Sequence, residues 1–190
     1  LRKSLGDPSP IAVLKSDEAK IQTTAFAQGA SVPEIVAIAD PLSPLGDAYV
    51  MKYIEGETIA RKILRDERFQ EARKKLAYEC GVAIAKIHQV SLDNLKKIQT
   101  NSHQELLKQL YSSYKEFNQP LPVFEYAFRW LKHRDFGNQE NRLVHGDFRL
   151  GNIIVNEQGL QAVIDWELAH IGNPIQDLGW ICVNSWRFGQ

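Results

Sequence analysis

The sequence predicts an α+β fold, with a small strand-rich region at its amino-terminal end and a longer helical region after it. Two short runs rich in Ile and Val lie within the first 54 residues, at 34–39 and 48–54. From residue 58 to about residue 134, apolar residues recur at helical spacing instead. Strand-like runs return near residue 143, so the character of the chain changes twice.

The composition is that of an ordinary globular protein and argues against several partners. Of 190 residues, 44% are hydrophobic, and 23 Lys plus Arg balance 23 Asp plus Glu. Nucleic-acid binders usually carry clustered basic residues, so nucleic acid is not an expected partner. No apolar stretch reaches the roughly 20 residues that a membrane span requires. Cys80 and Cys182 are the only cysteines, which is typical of a reduced, cytoplasmic protein.

The amino-terminal region is predicted to hold one helix and two antiparallel strands. Residues 16–28 begin with Ser16 as a candidate N-cap, and Gly29 ends the helical pattern. The two Ile- and Val-rich runs follow, separated by the turn-rich residues 40–47. Their short connection favours antiparallel pairing.

Three helical segments are predicted between residues 58 and 134. The first runs from Thr58 to about Val90, with Leu76 and Ile87 on its apolar face. The second covers Ser102 to Phe117, and the third covers Val123 to Arg134. These helices are expected to form the floor of a cleft.

The densest group of unusual polar residues surrounds the last two predicted strands. The run Val-His-Gly-Asp-Phe-Arg-Leu-Gly-Asn at 144–152 precedes strands at 153–155 and 160–164, which are joined by a turn at 156–159. A hairpin returns its ends to one edge, so Asn152 and Asp165 are expected to lie close together. An amide oxygen and a carboxylate suit Mg²⁺, which takes only one or two protein carboxylates. Asp147 could then face an incoming hydroxyl, as in kinase-type phosphoryl transfer.

These residues resemble the motifs of the aminoglycoside phosphotransferase and choline kinase group. The resemblance rests on His145-Gly146-Asp147 with Asn152, followed by Asp-Trp-Glu at 165–167. Protein kinases have Arg where this chain has Gly146, and their later motif is Asp-Phe-Gly, so the small-molecule branch is favoured. Runs 148–152 and 171–180 are similar to the subgroup of kinase-like domains associated with acyl-CoA dehydrogenases.

The resemblance implies a protein kinase-like two-lobe fold and a role for each residue of the motif. Asp147 would be the catalytic base, and Arg149 would meet the transferred phosphate. Asn152 and Asp165 would bind Mg²⁺. A hydrogen-bonded His145 would support the loop.

Asp177 would brace the same loop from beneath without touching the substrate. Glu167 is open to two interpretations, as a ligand of a second metal or as a structural carboxylate.

The resemblance implies a nucleotide site in the amino-terminal part as well. Arg2 would pair with Glu18 and with the phosphates of ATP, and Lys3 is the alternative if the register shifts by one. The hinge that receives the adenine would be Met51, Lys52, Tyr53 and Ile54. Residues 1–52 would form a partial N-lobe and residues 53–190 the C-lobe. Both ends are expected to be truncated, because the phosphate-covering loop would precede Arg2 and further helices would follow Gln190.

The expected activity is ATP-dependent transfer of a phosphoryl group to a hydroxyl of a small molecule. Residues 91–142 are expected to shape the acceptor pocket, but they show no carboxylate cluster of the kind that would attract a polycationic aminoglycoside. A hydroxylated metabolite such as a hydroxyacyl compound is therefore favoured. A nucleotide-binding pseudokinase or scaffold is the alternative, and the oligomeric state stays open.

The remaining distinctive side chains are interpreted as structural. His88 is expected to be buried or to cap the end of its helix. The four tryptophans are expected to pack in the core or between the lobes. Cys80 and Cys182 lie in apolar patterns and are expected to be inert.

Overall fold

The computed structural model describes residues 1–3, 12–40, 42–134, 137 and 140–187. Pro41, in the turn between the first predicted strands, lies outside the described residues, as does the end of the chain from Phe188. The helices and strands follow in chain order as β1 (Arg2–Lys3), α1 (Lys15–Ala27), β2 (Ile35–Ile38), β3 (Ala48–Met51), α2 (Ala60–Arg65), α3 (Gln70–His88), α4 (His103–Glu116), α5 (Pro122–Lys132), β4 (Arg142–Val144), β5 (Ile153–Asn156), β6 (Gly159–Val163), β7 (His170–Gly172) and α6 (Ile175–Ile181). Short 3-10 turns lie at Glu67–Phe69, Asp93–Leu95 and Asn184–Arg187.

The amino-terminal sheet confirms the predicted pair of antiparallel strands and adds a third. Its order is β1-β3-β2, and β1 pairs with β3 so that Arg2 lies opposite Tyr49. Helix α1 packs against β2 and β3 and buries Ile21 and Ala25 completely. The sheet therefore fixes the position of Arg2 relative to the helix beside it.

The amino-terminal end of α1 corrects the prediction of a local cap. Ser16 is inside the helix, and the N-cap residue is Leu14, whose side chain cannot accept a hydrogen bond. The carboxylate of Asp47 accepts instead from the backbone N–H groups of Lys15 at 2.7 Å and Ser16 at 2.9 Å. The cap comes from the β2-β3 turn, about thirty positions away, so a search of neighbouring residues does not find it.

The predicted helix from Thr58 to Val90 is divided in the structure. Asp66 has an extended backbone that ends α2, and a 3-10 turn separates α2 from α3. The side chain of Arg73 donates to the carbonyl oxygens of Ile63 at 3.0 Å and Asp66 at 2.7 Å. This contact satisfies acceptors that a continuous helix would have bonded internally.

The two following helices are confirmed. Helix α4 begins with a capping box, because Ser102 and Glu105 each accept a hydrogen bond from the other's backbone N–H. Helix α5 begins at Pro122, where a missing N–H costs little. None of the helices in the described ranges has the length and hydrophobicity that a bilayer crossing requires.

The carboxy-terminal region contains the predicted hairpin, formed by β5 and β6, with Ile153 opposite Val163. Strand β7 and helix α6 were not predicted. Strand β7 pairs antiparallel with β4, and α3 packs against both β4 and β6. Together these strands position the residues that lie between β4 and β5. The division into lobes at residue 52 stays a prediction.

We expect Asp47→Ala to lower the free energy of unfolding by about 0.5–2 kcal/mol, because the first turn of α1 loses its cap. Urea unfolding followed by circular dichroism measures this. Glu116→Ala, which removes an exposed carboxylate from the end of α4, is the control and should stay within about 0.5 kcal/mol of wild type. Equal stability of the two variants would contradict the capping role.

Candidate functional site

The loop after β4 turns at a residue that only glycine can occupy. Gly146 has φ of +84°, and an added Cβ would lie 2.3 Å from the carbonyl oxygen of Leu168. A side chain would therefore be strained by its backbone conformation and would also collide with a neighbouring backbone. The tight approach brings the loop against the segment that follows β6.

His145 supports this loop by hydrogen bonds, as predicted. Its side chain is completely buried; Nδ1 accepts from the backbone N–H of Asp147 at 3.2 Å, and Nε2 lies 3.1 Å from the carbonyl oxygen of Ile164. We assign the ring proton to Nε2, because Nδ1 must be free to accept. Burial lowers the pKa of His145, in keeping with a neutral ring.

Asp177 braces the loop from α6, which also confirms the prediction. Its buried carboxylate accepts from the backbone N–H of His145 through Oδ2 and from that of Gly146 through Oδ1, each at 2.9 Å. The Nε2 atom of His88, at the end of α3, lies 3.0 Å from Oδ2. One carboxylate thus joins α3, α6 and the loop, and His88 has a partner more specific than a helix cap.

The carboxylate of Asp147 is held by three side chains. Nε of Arg149 donates to Oδ1 at 3.0 Å and to Oδ2 at 3.2 Å. Nδ2 of Asn152 donates to Oδ2 at 2.6 Å and to the backbone oxygen of Asp147 at 2.9 Å. Nε1 of Trp180 donates to Oδ1 at 2.6 Å. The structure thus brings Asp147, Arg149 and Asn152 together, and it adds a tryptophan that sequence reasoning missed.

The tryptophans correct the expectation that all four are packing residues. Trp166 is completely buried, whereas Trp130 and Trp180 are exposed by 45% and 36%. Trp180 also packs against Trp186, with ring centroids 5.6 Å apart. Leu178, two residues before Trp180 in the chain, is also exposed. The apolar residues of this segment therefore did not indicate that it is buried.

The hairpin brings the backbones of Asn152 and Asp165 to one edge. The N–H of Ile164 donates to the carbonyl oxygen of Asn152 at 2.9 Å, and Asp165 follows with φ of +69°. The amide nitrogen of Asn152 donates to Asp147, so the Oδ1 atom of Asn152 is the atom that would coordinate a metal. Because Mg²⁺ prefers such hard oxygen donors, the residues fit the ion. Among the described residues, no cluster of three or more His, Cys, Asp or Glu offers a metal site, and the ligand roles stay predictions.

Arg2 lies between two carboxylates on different elements. It forms an ion pair with Asp165, and its Nη2 atom lies 3.7 Å from Oε1 of Glu18. These contacts belong to Arg2 and not to Lys3, the register alternative. Tyr49 donates to Oε1 of the fully buried Glu18 at 2.7 Å, and burial beside this carboxylate raises the pKa of Tyr49.

Lys15 is a second cation on Glu18 that the sequence analysis missed. Its Nζ atom lies 2.6 Å from Oε2 of Glu18 and 3.6 Å from Oε2 of Glu167. The three-residue spacing of Lys15 and Glu18 on one helical face was the available signal. The contact ties α1 to the segment after Asp165, and it gives Glu167 a structural partner without deciding its role towards metal.

The predicted hinge leaves the sheet directly after β3. Met51 ends that strand, and Lys52 donates its backbone N–H to the carbonyl oxygen of Glu34 at 2.8 Å. Tyr53 is 88% exposed, and Ile54 is half-buried. The binding of adenine by these four residues stays a prediction.

The two cysteines differ in their surroundings. Cys80 is buried, and burial raises the pKa of its thiol to about 12, which fits an inert side chain. Cys182 is exposed.

Comparison with solved structures defines the class of fold. A Ralstonia eutropha protein classed with the aminoglycoside phosphotransferases matches with a TM-score of 0.73 and 24% identity, over 87% of this chain and 53% of that one. APH(2")-IIIa in complex with GDP and kanamycin matches with a TM-score of 0.68 and 18% identity, over 92% of this chain and 65% of that one. The predicted protein kinase-like α+β fold is therefore confirmed.

The sequence carries the assignment further. The chain belongs to the phosphotransferase enzyme family, whose profile matches residues 7–190. It is 30% identical to human acyl-CoA dehydrogenase family member 11 over 93% of this chain and 24% of that protein. It is 26% identical to mouse acyl-CoA dehydrogenase family member 10 over 96% of this chain and 18% of that protein. The chain thus spans a quarter or less of these relatives, and the predicted likeness to kinase-like domains of this group is confirmed.

We expect His145 to make the fold less stable as the pH falls. Its pKa in the folded state is lowered below the usual value of about 6.5, so the unfolded chain binds the proton more readily. The neutral ring therefore makes its full contribution to the free energy of unfolding above about pH 6.5. Below that pH the free energy of unfolding falls, by at most about 1.4 kcal/mol per pH unit.

Urea unfolding between pH 5 and 8 measures this slope. In His145→Asn the slope of unfolding free energy against pH should decrease, by at most the amount that one proton contributes. An unchanged slope in His145→Asn would show that this ring is not the group that titrates.

Proposed function

We propose that this chain transfers the γ-phosphoryl group of ATP, with Mg²⁺, to a hydroxyl group of a small molecule. The observation that carries the proposal is the position of the Asp147 carboxylate. It is held by Arg149 and Asn152, beside the edge of the hairpin that Asp165 follows. Membership of the phosphotransferase enzyme family supports the same reaction class. Phosphoryl transfer needs positioning and charge more than covalent help, and these residues offer both.

Asp147 is the proposed base. It accepts the proton of the acceptor hydroxyl as that oxygen forms a bond to the γ-phosphorus, while the bond from phosphorus to the β-γ bridging oxygen breaks and ADP leaves. The guanidinium of Arg149 lies 4.4 Å from the ring centre of Trp186. A cation held in this way offers fixed positive charge to the transferred phosphoryl group.

Asn152 and Asp165 are the proposed holders of Mg²⁺. The ion would neutralise charge on the phosphate oxygens. Arg2, which pairs with both Asp165 and Glu18, is the proposed phosphate contact from the amino-terminal sheet. Residues 51–54 are the proposed adenine contact.

Known complexes of similar folds support a nucleotide as the phosphoryl donor. Aminoglycoside phosphotransferases of this fold have been solved with GDP, with ADP and with ATP plus streptomycin. We propose ATP for this chain, and ATP and GTP can be compared directly in a turnover assay.

The acceptor is proposed to be a hydroxylated metabolite and not an aminoglycoside. The carboxylate of Asp147 is held by the cation Arg149, the amide of Asn152 and the indole of Trp180, and Trp186 packs on Arg149. The positive charge of Arg149 beside this carboxylate is unfavourable for a polycation. Similarity to acyl-CoA dehydrogenase family members supports a hydroxyacyl compound. A reducing, cytoplasmic setting is proposed on the two free cysteines.

The alternative, a nucleotide-binding protein without turnover, is less favoured because the chain has Asp147, Asn152 and Asp165 together. The deciding experiment is release of ADP by the complete protein with a panel of hydroxylated metabolites. Nucleotide binding with no turnover on any acceptor or on water would support the alternative.

We expect Asp147→Ala to lower turnover in the complete protein by about 10² to 10⁴, the usual effect of losing a positioned base. Nucleotide affinity should change little, because Asp147 contacts the acceptor and not the nucleotide. Steady-state kinetics and calorimetric titration with ATP and Mg²⁺ measure the two effects. Wild-type turnover in this variant would remove Asp147 from the mechanism.

We expect Asp165→Asn to weaken binding of ATP in the presence of Mg²⁺ by about tenfold or more, with a smaller effect in its absence. Asparagine is well suited to the test, because it tolerates the positive φ of Asp165 better than most residues. Calorimetry with and without Mg²⁺ separates the two affinities. Equal losses under both conditions would argue that Asp165 acts through Arg2 instead of metal.

A further inference from the structure

We infer that the indole N–H of Trp180 occupies the place of the acceptor hydroxyl on Asp147 and keeps water from this base until the acceptor displaces it. The inference rests on the proposed function of Asp147 and adds a residue that controls access to it. No motif in the sequence assigns Trp180 to the site. Its contact with Oδ1, at 2.6 Å, is as short as that of Asn152 with Oδ2.

The hydrogen-bonding capacity of the carboxylate is the first step. Two carboxylate oxygens offer about four lone-pair positions. The bifurcated N–H of Arg149 takes a position on each oxygen, Asn152 takes one on Oδ2, and Trp180 takes one on Oδ1. A hydroxyl must donate to this carboxylate before the base can accept its proton. One of the present donors therefore has to leave.

Trp180 is the donor that can leave without disturbing the loop. Arg149 and Asn152 belong to the same loop as Asp147, and Asn152 also holds the backbone oxygen of Asp147. Trp180 comes from α6 and is 36% exposed. Its side chain can turn toward solvent while the loop keeps its other bonds.

Helix α6 delivers the indole to Asp147. Asp177, in the first turn of α6, is fully buried and binds the backbone N–H groups of His145 and Gly146. Trp180 lies three residues later, so it projects from the same face of the helix one turn further on. Asp177, which anchors α6 to the loop, and Trp180, which can move, are therefore different residues of the helix. Displacement of the indole leaves the contacts of Asp177 in place.

Hydrolysis of ATP is the reaction that this contact would suppress. Without the indole, a water molecule can donate to Oδ1. Asp147 takes its proton, the water oxygen bonds to the γ-phosphorus, and the bond to the β-γ bridging oxygen breaks, so that ADP and inorganic phosphate are released. The contact would thus protect ATP when no acceptor is bound.

The test uses Trp180→Phe in the complete protein, because phenylalanine keeps an aromatic ring at this position and has no N–H donor. With MgATP alone, we expect ADP release to increase by about tenfold or more, the usual effect of losing one hydrogen bond to a charged group. Tyr78→Phe is the matched control, since it removes a polar atom from an aromatic ring on α3 that is 76% exposed, and it should hydrolyse ATP at the wild-type rate. Unchanged or slower hydrolysis by Trp180→Phe would overturn the inference, because the indole would then orient the base and not block it.

A second measurement is independent of activity. The indole ¹⁵N–¹H resonance of Trp180 is assigned by its loss in Trp180→Phe. It should move upfield in Asp147→Ala, because the carboxylate that accepts the hydrogen bond of the indole is gone. An unmoved resonance would overturn the inference. If the resonance moves but Asp147→Ala turns over with an acceptor as fast as wild type, the contact exists and the proposed role of Asp147 as base has failed, which also removes the gating role.

Discussion

The geometry of the site depends on the buried carboxylate of Asp177. Its two oxygens take the backbone N–H groups of His145 and Gly146, and His88 lies at hydrogen-bond distance from one of them. Buried backbone donors in a tight loop have few alternative partners, and leaving them unpaired is costly. Because Asp177 comes from α6 and His88 from α3, the conformation of the loop is tied to the packing of two helices. The conformation of the loop in turn determines where the side chain of Asp147 points.

A second set of interactions joins the amino-terminal sheet to the same region. Arg2 on β1 pairs with Asp165 and approaches Glu18, while Lys15 on α1 pairs with Glu18 and approaches Glu167. Glu18 is completely buried, and a buried carboxylate is stable only when cations or donors surround it. The two cations that satisfy Glu18 also reach the segment after β6. Stabilising this one carboxylate therefore also orients α1 toward the proposed metal site.

Sequence reasoning predicted the parts of the site that are close together in the chain. The hairpin follows from strand runs around a short turn, and the approach of Asn152 to Asp165 follows from the hairpin. The family resemblance implied two contacts between distant elements, the brace of the loop by Asp177 and the pair of Arg2 with Glu18. Other contacts between distant elements were missed, because no local pattern encodes them. Asp47 caps a helix about thirty residues before it, and Trp180 reaches Asp147 across 33 positions. Lys15 is the exception, since its spacing from Glu18 could have indicated the pair.

Negative charge explains why so many donors converge on the loop. Asp147 and Asp165 would repel each other and the phosphates of a nucleotide if their charges were unpaired. Arg149 stays with Asp147 through a short local contact, whereas Arg2 meets Asp165 from another element. A bound metal ion could take over the second contact and release Arg2 toward phosphate, but it could not replace Arg149, which the loop itself supplies. In the proposed reaction, Arg2 on the distant strand would therefore be the cation free to change partners, and Arg149 within the loop would be the cation that keeps the proposed base Asp147 in place.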